Sequence, residues 1–398
     1  MLLVVNSDLL KEKLEGLFKN GINANEIKNY KHSAFQLIQD DQFIHFNGIL
    51  SKYNKRTISN EILEEFNITL DDHILVAPHF VINHRTRQKE IVVQDVNNNL
   101  YLISNRGKIL WKKQLNGAIL GKIEQVDLYR NGRLQLAFAT SKRVYVIDRN
   151  GNDVSPFPLR FNDDITQPLS IFDYDRKKNY RFVVVQKGNV LVYDRRGKTV
   201  RGFDYNNSGI ITSKPKHIRV NSRDYIVFVA GGKMQILNRR GKVRIPSNNS
   251  FVHSNNDVFY YKNAFTTTSS NGTLVQVNLN GNFAEQDLNL DNYHLIDATS
   301  KTLVSISDNL LNIKQRTYEL EFGDYTQPKI FYINDKIYVT LSDKQSNRIF
   351  MFDSQARLLS NFPVYGNSTV DFENIDSDPK LEFVTIGDSN SIIVYEKN

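Results

Sequence analysis

A short motif that returns at nearly constant spacing constrains the fold of this chain more than any other feature. In each copy, the apolar positions of a strand precede a polar turn that contains Asp or Asn and ends in Gly, often followed by Lys. Five copies align: Tyr101–Lys108 (YLISNRGK), Tyr145–Asn152 (YVIDRNGN), Leu191–Lys198 (LVYDRRGK), Gln235–Lys242 (QILNRRGK) and Val275–Asn282 (VQVNLNGN). Their glycines at 107, 151, 197, 241 and 281 are 44, 46, 44 and 40 residues apart, which is the period of a four-stranded propeller blade.

Three later segments continue the series without the glycine: Leu311–Tyr318, Phe350–Arg357 and Val394–Asn398. A strongly apolar strand precedes each copy, and the eight such strands are Glu90–Gln94, Leu134–Thr140, Phe182–Gln186, Tyr225–Ala230, Ala264–Thr268, Thr302–Ile306, Ile337–Leu341 and Glu382–Ile386. Because Asn and Asp tolerate the left-handed backbone of a tight turn and Gly adopts it without steric cost, each copy predicts a hairpin. The sequence therefore predicts an all-β fold, a β-propeller of about eight, or alternatively seven, four-stranded blades.

Residues 1–56 lack the repeat and predict a small α/β piece. Leu2–Val5 is a strand candidate, leucines at helical spacing predict a helix from Leu9 to Lys19, and alternating runs at Ala34–Ile38 and Phe43–Leu50 predict two more strands. About fifty residues bury little core alone, so we interpret this β-α-β-β piece as a cap, or as the remnant of a longer chain.

The remaining boundaries follow from the repeat. Residues 57–73 are assigned to a charged connector, with a short helix expected at Ser59–Phe66, and residues 74–398 are assigned to the propeller. The last repeat, Val394–Asn398, has no fourth strand after it, so the ring needs a strand from elsewhere. We expect Phe43–Leu50 to supply this strand.

The composition excludes several kinds of chemistry but does not decide the cellular compartment. The 398 residues include no Cys, which excludes disulfides, thiolate catalysis and cysteine-based zinc sites. Met1–Asn6 lacks the basic flank and the cleavage site of a signal peptide, and no apolar run approaches the ~20 residues of a membrane span. We expect a cytoplasmic protein, or a periplasmic or cell-envelope protein if the chain is a fragment of a longer exported one.

One segment carries a resemblance to a known family. Asn99–Gly117 (NLYLISNRGKILWKKQLNG) resembles a repeat of the PQQ-type β-propellers, in which a strand is followed by Gly, a basic residue and, four after the Gly, Trp. Here these residues are Gly107, Lys108 and Trp111. Trp111 is the only Trp of the chain, so the interlocking tryptophan set of that family is absent.

Two further resemblances concern loops and overall organisation. Phe172–Val185 and Asn374–Ile386 resemble the Asp-rich strand loops of integrin-like FG-GAP propeller repeats. The chain as a whole resembles the C-terminal propeller of uncharacterised bacterial envelope proteins that carry an α/β region ahead of it. These resemblances imply a propeller architecture for residues 74–398 and an envelope setting.

The loop Asn374–Glu382 is the best candidate for a metal site. Asp376, Asp378 and Glu382 offer spaced carboxylates in a loop, which suits a hard cation such as Ca²⁺. The alternative is an acidic turn whose Asp residues bond their own backbone. The similar loop Asp173–Asn179 has Arg and Lys at the ligand positions and is expected to bind no metal. No other cofactor is expected.

Basic residues outnumber acidic ones, 51 to 43, and part of this excess of +8 lies in the repeated turn. The arginines there are Arg106, Arg149, Arg195, Arg196, Arg239 and Arg240. Equivalent hairpins of a propeller lie on one face, so these arginines predict a basic arc suited to a partner with an anionic surface. The alternative is that they only solubilise exposed turns, where charges contribute little stability. The loops between the first and second strands are expected to add Arg130, Arg133, Arg176, Lys177 and Lys178.

No local motif predicts catalysis. The eight His form no HxH or HExxH pattern, and Gly231–Lys233 lacks the spaced glycines of a phosphate loop. The turns lack interleaved aromatic residues, and no sequence-specific nucleic-acid binding is expected. The leading hypothesis is a non-catalytic β-propeller scaffold for protein–protein interaction in a bacterial envelope complex, monomeric outside it. The alternative is an enzyme or ligand-binding propeller, PQQ-like or carbohydrate-directed, that uses the central channel.

Overall fold

The computed structural model describes residues 2–6, 30–40, 43–52, 61–206, 208–376 and 378–398. The chain divides into two compact units, residues 1–59 and residues 60–398. In the first unit, β1 (Leu2–Asn6), β2 (Tyr30–Asp40) and β3 (Phe43–Lys52) form an antiparallel sheet in the order β1-β2-β3. The three strands predicted here are confirmed, and the helix predicted from Leu9 to Lys19 lies outside the described residues.

The second unit is an all-β, eight-bladed propeller, as the repeat predicts. The first four blades are β5 (Ile74–Ile82), β6 (Lys89–Asp95), β7 (Asn99–Ser104) and β8 (Ile109–Gln114); β9 (Glu124–Val126), β10 (Gln135–Ala139), β11 (Arg143–Ile147) and β12 (Leu159–Arg160); β13 (Ser170–Phe172), β14 (Arg181–Gln186) and β15 (Asn189–Tyr193); and β16 (Lys216–Val220), β17 (Arg223–Ala230), β18 (Lys233–Leu237) and β19 (Val243–Ile245). Blade 3 has three strands, and an isolated bridge joins Tyr193 to Thr199 where a fourth would start.

Blades 5 to 7 are β20 (Phe259–Tyr261), β21 (Ala264–Thr268), β22 (Thr273–Asn278) and β23 (Phe283–Asp287); β24 (His294–Ala298), β25 (Leu303–Ser307), β26 (Leu310–Ile313) and β27 (Arg316–Glu319); and β28 (Lys329–Ile333), β29 (Lys336–Asp343), β30 (Arg348–Asp353) and β31 (Val364–Tyr365). Blade 8 is β32 (Asp371–Glu373), β33 (Leu381–Ile386), β34 (Ser391–Lys397) and β4 (Ile62–Thr69). We name the strands of a blade A to D in this order. Among the described residues, no helix is long and apolar enough to pass through a membrane.

A strand that comes before the repeats closes the ring. β4 pairs antiparallel with β34, so that Ile68 lies opposite Ile392 and Phe66 lies opposite Val394. All four side chains contribute to the apolar cluster between blades 8 and 1. The prediction that Phe43–Leu50 closes the ring is wrong, because those residues belong to β3 and pair with β2 in the first unit.

The closing strand lies within the segment that the sequence assigned to a connector. The short helix expected at Ser59–Phe66 is wrong over its described part, because Ile62 to Phe66 are extended in β4. The register shifts between Val394 and Tyr395, which leaves Glu65 without a partner opposite it. This extra residue interrupts the two-residue alternation of a strand, so Ile62 packs in the apolar cluster that contains Phe372, whereas Phe66 packs in the cluster between blades 8 and 1.

The repeated motif forms the turn between strands C and D. Asp194 Oδ1 accepts hydrogen bonds from the backbone N–H groups of Arg196 and Lys198, at 2.8 and 2.9 Å. The equivalent side chains of Ser104, Asp148, Asn238, Asn278 and Asp353 accept the same pair of bonds in their own turns. The five motif glycines have φ between 69° and 87°, and Ala356 adopts 58° where the glycine is missing. The motif therefore encodes rigid turns.

The turn glycines also lie against the outer edge of the preceding blade. A Cβ at Gly151 would be 3.2 Å from the Trp111 ring, whose Nε1 donates to the Arg149 carbonyl at 2.7 Å. Other side chains occupy this position elsewhere: Phe66 and Ile68 beside Gly107, Pro156 and Leu159 beside Gly197, and Ile245 beside Gly281. Neighbouring blades therefore interlock at this position, and only the contact between blades 1 and 2 uses a tryptophan.

His253 connects blades 4 and 5 in its neutral form. Its Nδ1 lies 2.7 Å from Thr212 Oγ1, and its Nε2 lies 3.1 Å from Thr267 Oγ1. Burial lowers the pKa of His253 from 6.5 to about 4. The unfolded chain therefore takes up a proton at higher pH than the folded one, so stability is complete above pH 6.5 and is lost as the pH falls toward 4.

We expect the His253 imidazole to lower the free energy of unfolding by about 1.5 kcal/mol between pH 6.5 and pH 5. Urea denaturation at a series of pH values measures this loss. His253→Asn cannot titrate, so its stability should fall less steeply over the same interval. An equally steep fall in the variant would show that other groups cause the pH dependence.

Candidate interaction surface

The A–B loops and C–D turns lie on one face of the propeller. Neighbouring strands of a blade are antiparallel, so these two connections meet at the same edge of the sheet. Side-chain contacts link these connections in neighbouring blades. Lys178 Nζ in the A–B loop of blade 3 pairs with Asp127 in the A–B loop of blade 2. Gln88 Nε2 in blade 1 donates to the Asp376 carbonyl in blade 8 at 3.2 Å. All the arginines selected from the sequence lie in these turns.

Arginines two residues before the turn glycine contact the neighbouring blade. Arg149 Nε donates to Glu90 Oε2 in blade 1 at 3.0 Å, and its Nη2 pairs with Glu90 Oε1. The Glu90 side chain is 5% exposed and the Arg149 side chain 24% exposed, so this is a mostly buried, bidentate pair. Arg195 Nη1 lies 3.4 Å from the Leu128 carbonyl in blade 2.

Arg239 occupies the same position in blade 4. Its Nε donates to Asp224 Oδ2 at 2.7 Å, and its Nη2 donates to Asp175 Oδ1 in blade 3 at 2.8 Å. His217 Nε2 lies 2.8 Å from the other Asp224 oxygen. Burial alone would raise the pKa of Asp224, but the hydrogen bonds from His217 and Arg239 hold it below its ordinary value. Arg149 and Arg239 therefore differ from exposed, unpaired turn charges, and we expect both to contribute to stability.

Arginines one residue before the glycine are not paired with any part of the chain that the structure describes. Arg106, Arg196 and Arg240 are exposed, and their guanidinium groups form no hydrogen bond or ion pair with any described residue. Their backbone N–H groups donate to the capping side chains of Ser104, Asp194 and Asn238. Blades 1, 3 and 4 therefore each present one unpaired arginine on a turn whose backbone is fixed.

Cations of the A–B loops extend this set. Lys178 is paired with Asp127, and Arg130 Nη2 donates to Asn179 Oδ1. Arg133, Arg176 and Lys177 are exposed and unpaired among the described residues. Sequence reasoning missed two exposed arginines, Arg85 and Arg87, in the loop between β5 and β6 of blade 1. We define the basic surface as Arg85, Arg87, Arg106, Arg133, Arg176, Lys177, Arg196 and Arg240.

The A–B loop of blade 8 brings the three candidate metal ligands together. One carboxylate oxygen each from Asp376, Asp378 and Glu382 lies within 4.8 Å of the others. Each carboxylate also accepts a backbone N–H: Glu382 from Ile375 at 2.8 Å, Asp376 from Asp378 at 3.1 Å, and Asp378 from Lys380 at 2.7 Å. The loop thus combines the two sequence interpretations, a set of oxygen donors and an acidic turn bonded to its own backbone.

Negative charge accumulates in this acidic loop. Burial, with the nearby charges of Asp376, Asp378 and Glu65, raises the pKa of Glu382 to about 7. Burial and the charge of Asp376 also raise the pKa of Glu65 in β4. Either a proton on Glu382 or a hard cation such as Ca²⁺ would reduce this repulsion, and three carboxylates fit the donor preference of that cation.

Charged side chains of the A strands connect adjacent blades around the axis. Asp371 Oδ2 accepts the Phe80 N–H at 2.9 Å, Asp297 Oδ2 accepts the Ile330 N–H at 2.8 Å, and Lys329 Nζ donates to the Val370 carbonyl at 3.2 Å. Burial raises the pKa of Asp297 and lowers that of Lys329.

Two groups near this ring have fewer partners. Lys122 has a side chain that is 59% exposed, and its Nζ lies 4.0 Å from Asp371 Oδ2. His79 Nε2 is buried without a hydrogen-bond partner among the described residues, and burial lowers the pKa of His79 to about 4. Lys122 and His79 are the side chains that a ligand-binding or catalytic site in the central channel would use.

Comparison with known proteins supports the architecture. No known protein family and no curated protein matches the sequence. The crystal structure of BamB from Moraxella catarrhalis is similar, with a TM-score of 0.54 and 14% identity over 84% of this chain and 97% of that one. BBS1N, solved in complex with ARL6DN, is similar with a TM-score of 0.51 and 14% identity over 85% of this chain and 97% of that one. At such identities the likeness shows the β-propeller fold alone.

Proposed function

We propose that this protein is a non-catalytic scaffold whose basic surface binds a protein partner with an anionic surface. It is monomeric outside the complex in this proposal. The resemblance to propellers of bacterial envelope proteins suggests an envelope complex as the setting. BBS1N, a structural neighbour, was solved with a protein partner, ARL6DN, which is in keeping with this use of the fold.

The observation that carries the proposal is the difference between the two arginine positions of the turn. Arginines two residues before the glycine have carboxylate or carbonyl partners in the fold. Arg106, Arg196 and Arg240, one residue before it, have none among the described residues. Turn capping fixes their backbone, so a partner's carboxylates could pair with them at a reduced entropy cost. A one-sided field of this kind also steers anionic partners toward the face.

Charge reversal tests this proposal. We expect R106E/R196E/R240E to retain about a tenth or less of the partner that the wild-type chain captures from a native lysate, and to lose the steep salt dependence of capture. The matched control is K262E/K301E/K314E, which changes the net charge equally at exposed lysines of the A–B and C–D connections in blades 5 and 6. The control should capture normally.

Two outcomes would contradict the proposal. Equal losses in both triple variants would show that net charge, and not the basic surface, controls capture. Normal capture by R106E/R196E/R240E together with loss of capture by K122A would favour the alternative function, a ligand-binding or enzymatic site in the channel.

We further propose that the protein requires no resident cofactor. Each of Asp376, Asp378 and Glu382 already accepts a backbone N–H, and a proton on Glu382 can offset the remaining charge. We expect the same melting temperature at pH 6 with calcium and with chelator. A calcium-dependent rise that D376A/D378A/E382A abolishes would instead identify the loop as a calcium site.

A further inference from the structure

The face opposite the basic surface is formed by the B–C and D–A connections, and exposed apolar side chains recur on its D–A connections. Four successive D–A connections, from blade 3 to blade 7, each expose one large apolar side chain. They are Ile210 (69% exposed), Val252 (74%), Tyr293 (94%) and Phe322 (77%). Single exposed apolar residues are common on protein surfaces. Two members of this series, Tyr293 and Phe322, belong to the connections that form one groove.

A groove lies beside the two aromatic members of this series. It has a volume of about 390 Å³ and lies at the start of blade 6. Tyr293, Leu295, Ile306 and Tyr325 supply its apolar lining. Gly323 and Asp324 form the other side of the groove, and Phe322 directly precedes Gly323 in the same connection. A groove of this size can hold one or two side chains of an extended segment.

The charge of the groove is negative. Asp308 lines it and Asp291 lies two residues before Tyr293, and neither carboxylate has an ion-pair partner among the described residues. The neighbouring Asp324 pairs with Lys344 at 2.8 Å, and Glu321 pairs with Arg348 at 3.1 Å. Lys344 and Arg348 are therefore already paired, and among the described residues Asp291 and Asp308 keep a negative charge that no ion pair offsets.

We propose that this acidic, apolar groove binds an extended basic segment of a protein partner. Apolar side chains of the segment pack on Tyr293, Leu295 and Phe322, and its Lys or Arg side chains pair with Asp291 and Asp308. Since this face is opposite the basic surface, the scaffold can hold two partners of opposite charge at the same time. The inference does not depend on the function proposed for the basic surface.

Selection from a random twelve-residue peptide display library against the 398-residue chain tests the proposal. We expect enriched peptides in which Lys or Arg flanks Leu, Phe or Trp. A synthetic enriched peptide should bind Y293S/F322S and D291K/D308K about tenfold or more weakly than the wild-type chain by fluorescence anisotropy. All four positions are exposed, so circular dichroism melting should show that the variants remain folded.

R106E/R196E/R240E is the control and should bind the peptide as the wild-type chain does, which separates this groove from the basic surface. The absence of enrichment, enrichment of acidic peptides, or equal binding by wild-type and groove variants would overturn the proposal. Concentration-dependent dimers in sedimentation velocity that Y293S/F322S abolishes would also overturn it, because the occupant would then be a second copy of the chain.

Discussion

A chain that starts at Asp71 is expected to lose its cooperative melting transition and to aggregate. This truncation removes β4, whose Phe66 and Ile68 cover Val394 and Ile392, two side chains that are fully buried in the complete ring. It also leaves the edge of β34 unpaired, which is a template for association with other chains. Size-exclusion chromatography and circular dichroism melting measure the effect.

The matched control is a chain that starts at Glu61, which keeps β4 and removes the first unit. It should remain soluble and melt cooperatively, because β4 lies within the compact unit of residues 60–398. If both truncated chains melt alike, the β4–β34 pairing does not hold the ring closed.

The second large effect is expected from Arg149→Glu. The change places a second carboxylate beside Glu90, a side chain that is only 5% exposed, and removes the bidentate pair between blades 1 and 2. Breaking a buried pair costs about 3–5 kcal/mol, which is a large part of the stability of most domains. Urea denaturation should show this loss as a lower unfolding midpoint.

Arg106→Glu is the matched control in the equivalent turn of blade 1, and we expect it to change stability by less than about 0.5 kcal/mol. The exchanged pair E90R/R149E should recover part of the loss, since the two charges again attract each other. A midpoint for R149E equal to that of R106E would show that the Arg149–Glu90 pair contributes nothing.

The sequence predicted the blades because their turns are local. Each turn contains its capping side chain, the two N–H groups that it binds and a glycine with positive φ within five residues, as in Asp194 to Lys198. The turn can therefore form without contacts from the rest of the chain. Blade 7 shows the limit of the motif, because Ala356 adopts the same backbone conformation without being glycine.

The closing strand could not be predicted because its pattern depends on its partner. Glu65 is the extra residue of a bulge opposite the Val394–Tyr395 step, and this irregularity hides the alternation of β4. Phe43–Leu50 has an alternating pattern that predicts a strand, yet alternation alone does not say which sheet a strand joins.

The basic arc could be predicted only in part. Arg106, Arg149, Arg195 and Arg239 were treated as equivalent, but alignment on the glycine separates Arg106, one residue before it, from the other three, two residues before it. That register was available in the sequence. The partners of these arginines could not be found in the sequence, because Glu90, Leu128 and Asp175 belong to neighbouring blades and lie far away along the chain.

Photo-crosslinking from the basic surface tests the central claim most directly. Benzoylphenylalanine at Lys198, an exposed position two residues after Arg196, should crosslink the 398-residue chain to a partner segment rich in Asp and Glu, as identified by mass spectrometry. The same probe at Lys301, on the A–B loop of blade 6, should give little of this product. Equal crosslinking from both positions, or a partner segment without acidic residues, would contradict the assignment of the basic surface as the binding site for an anionic partner.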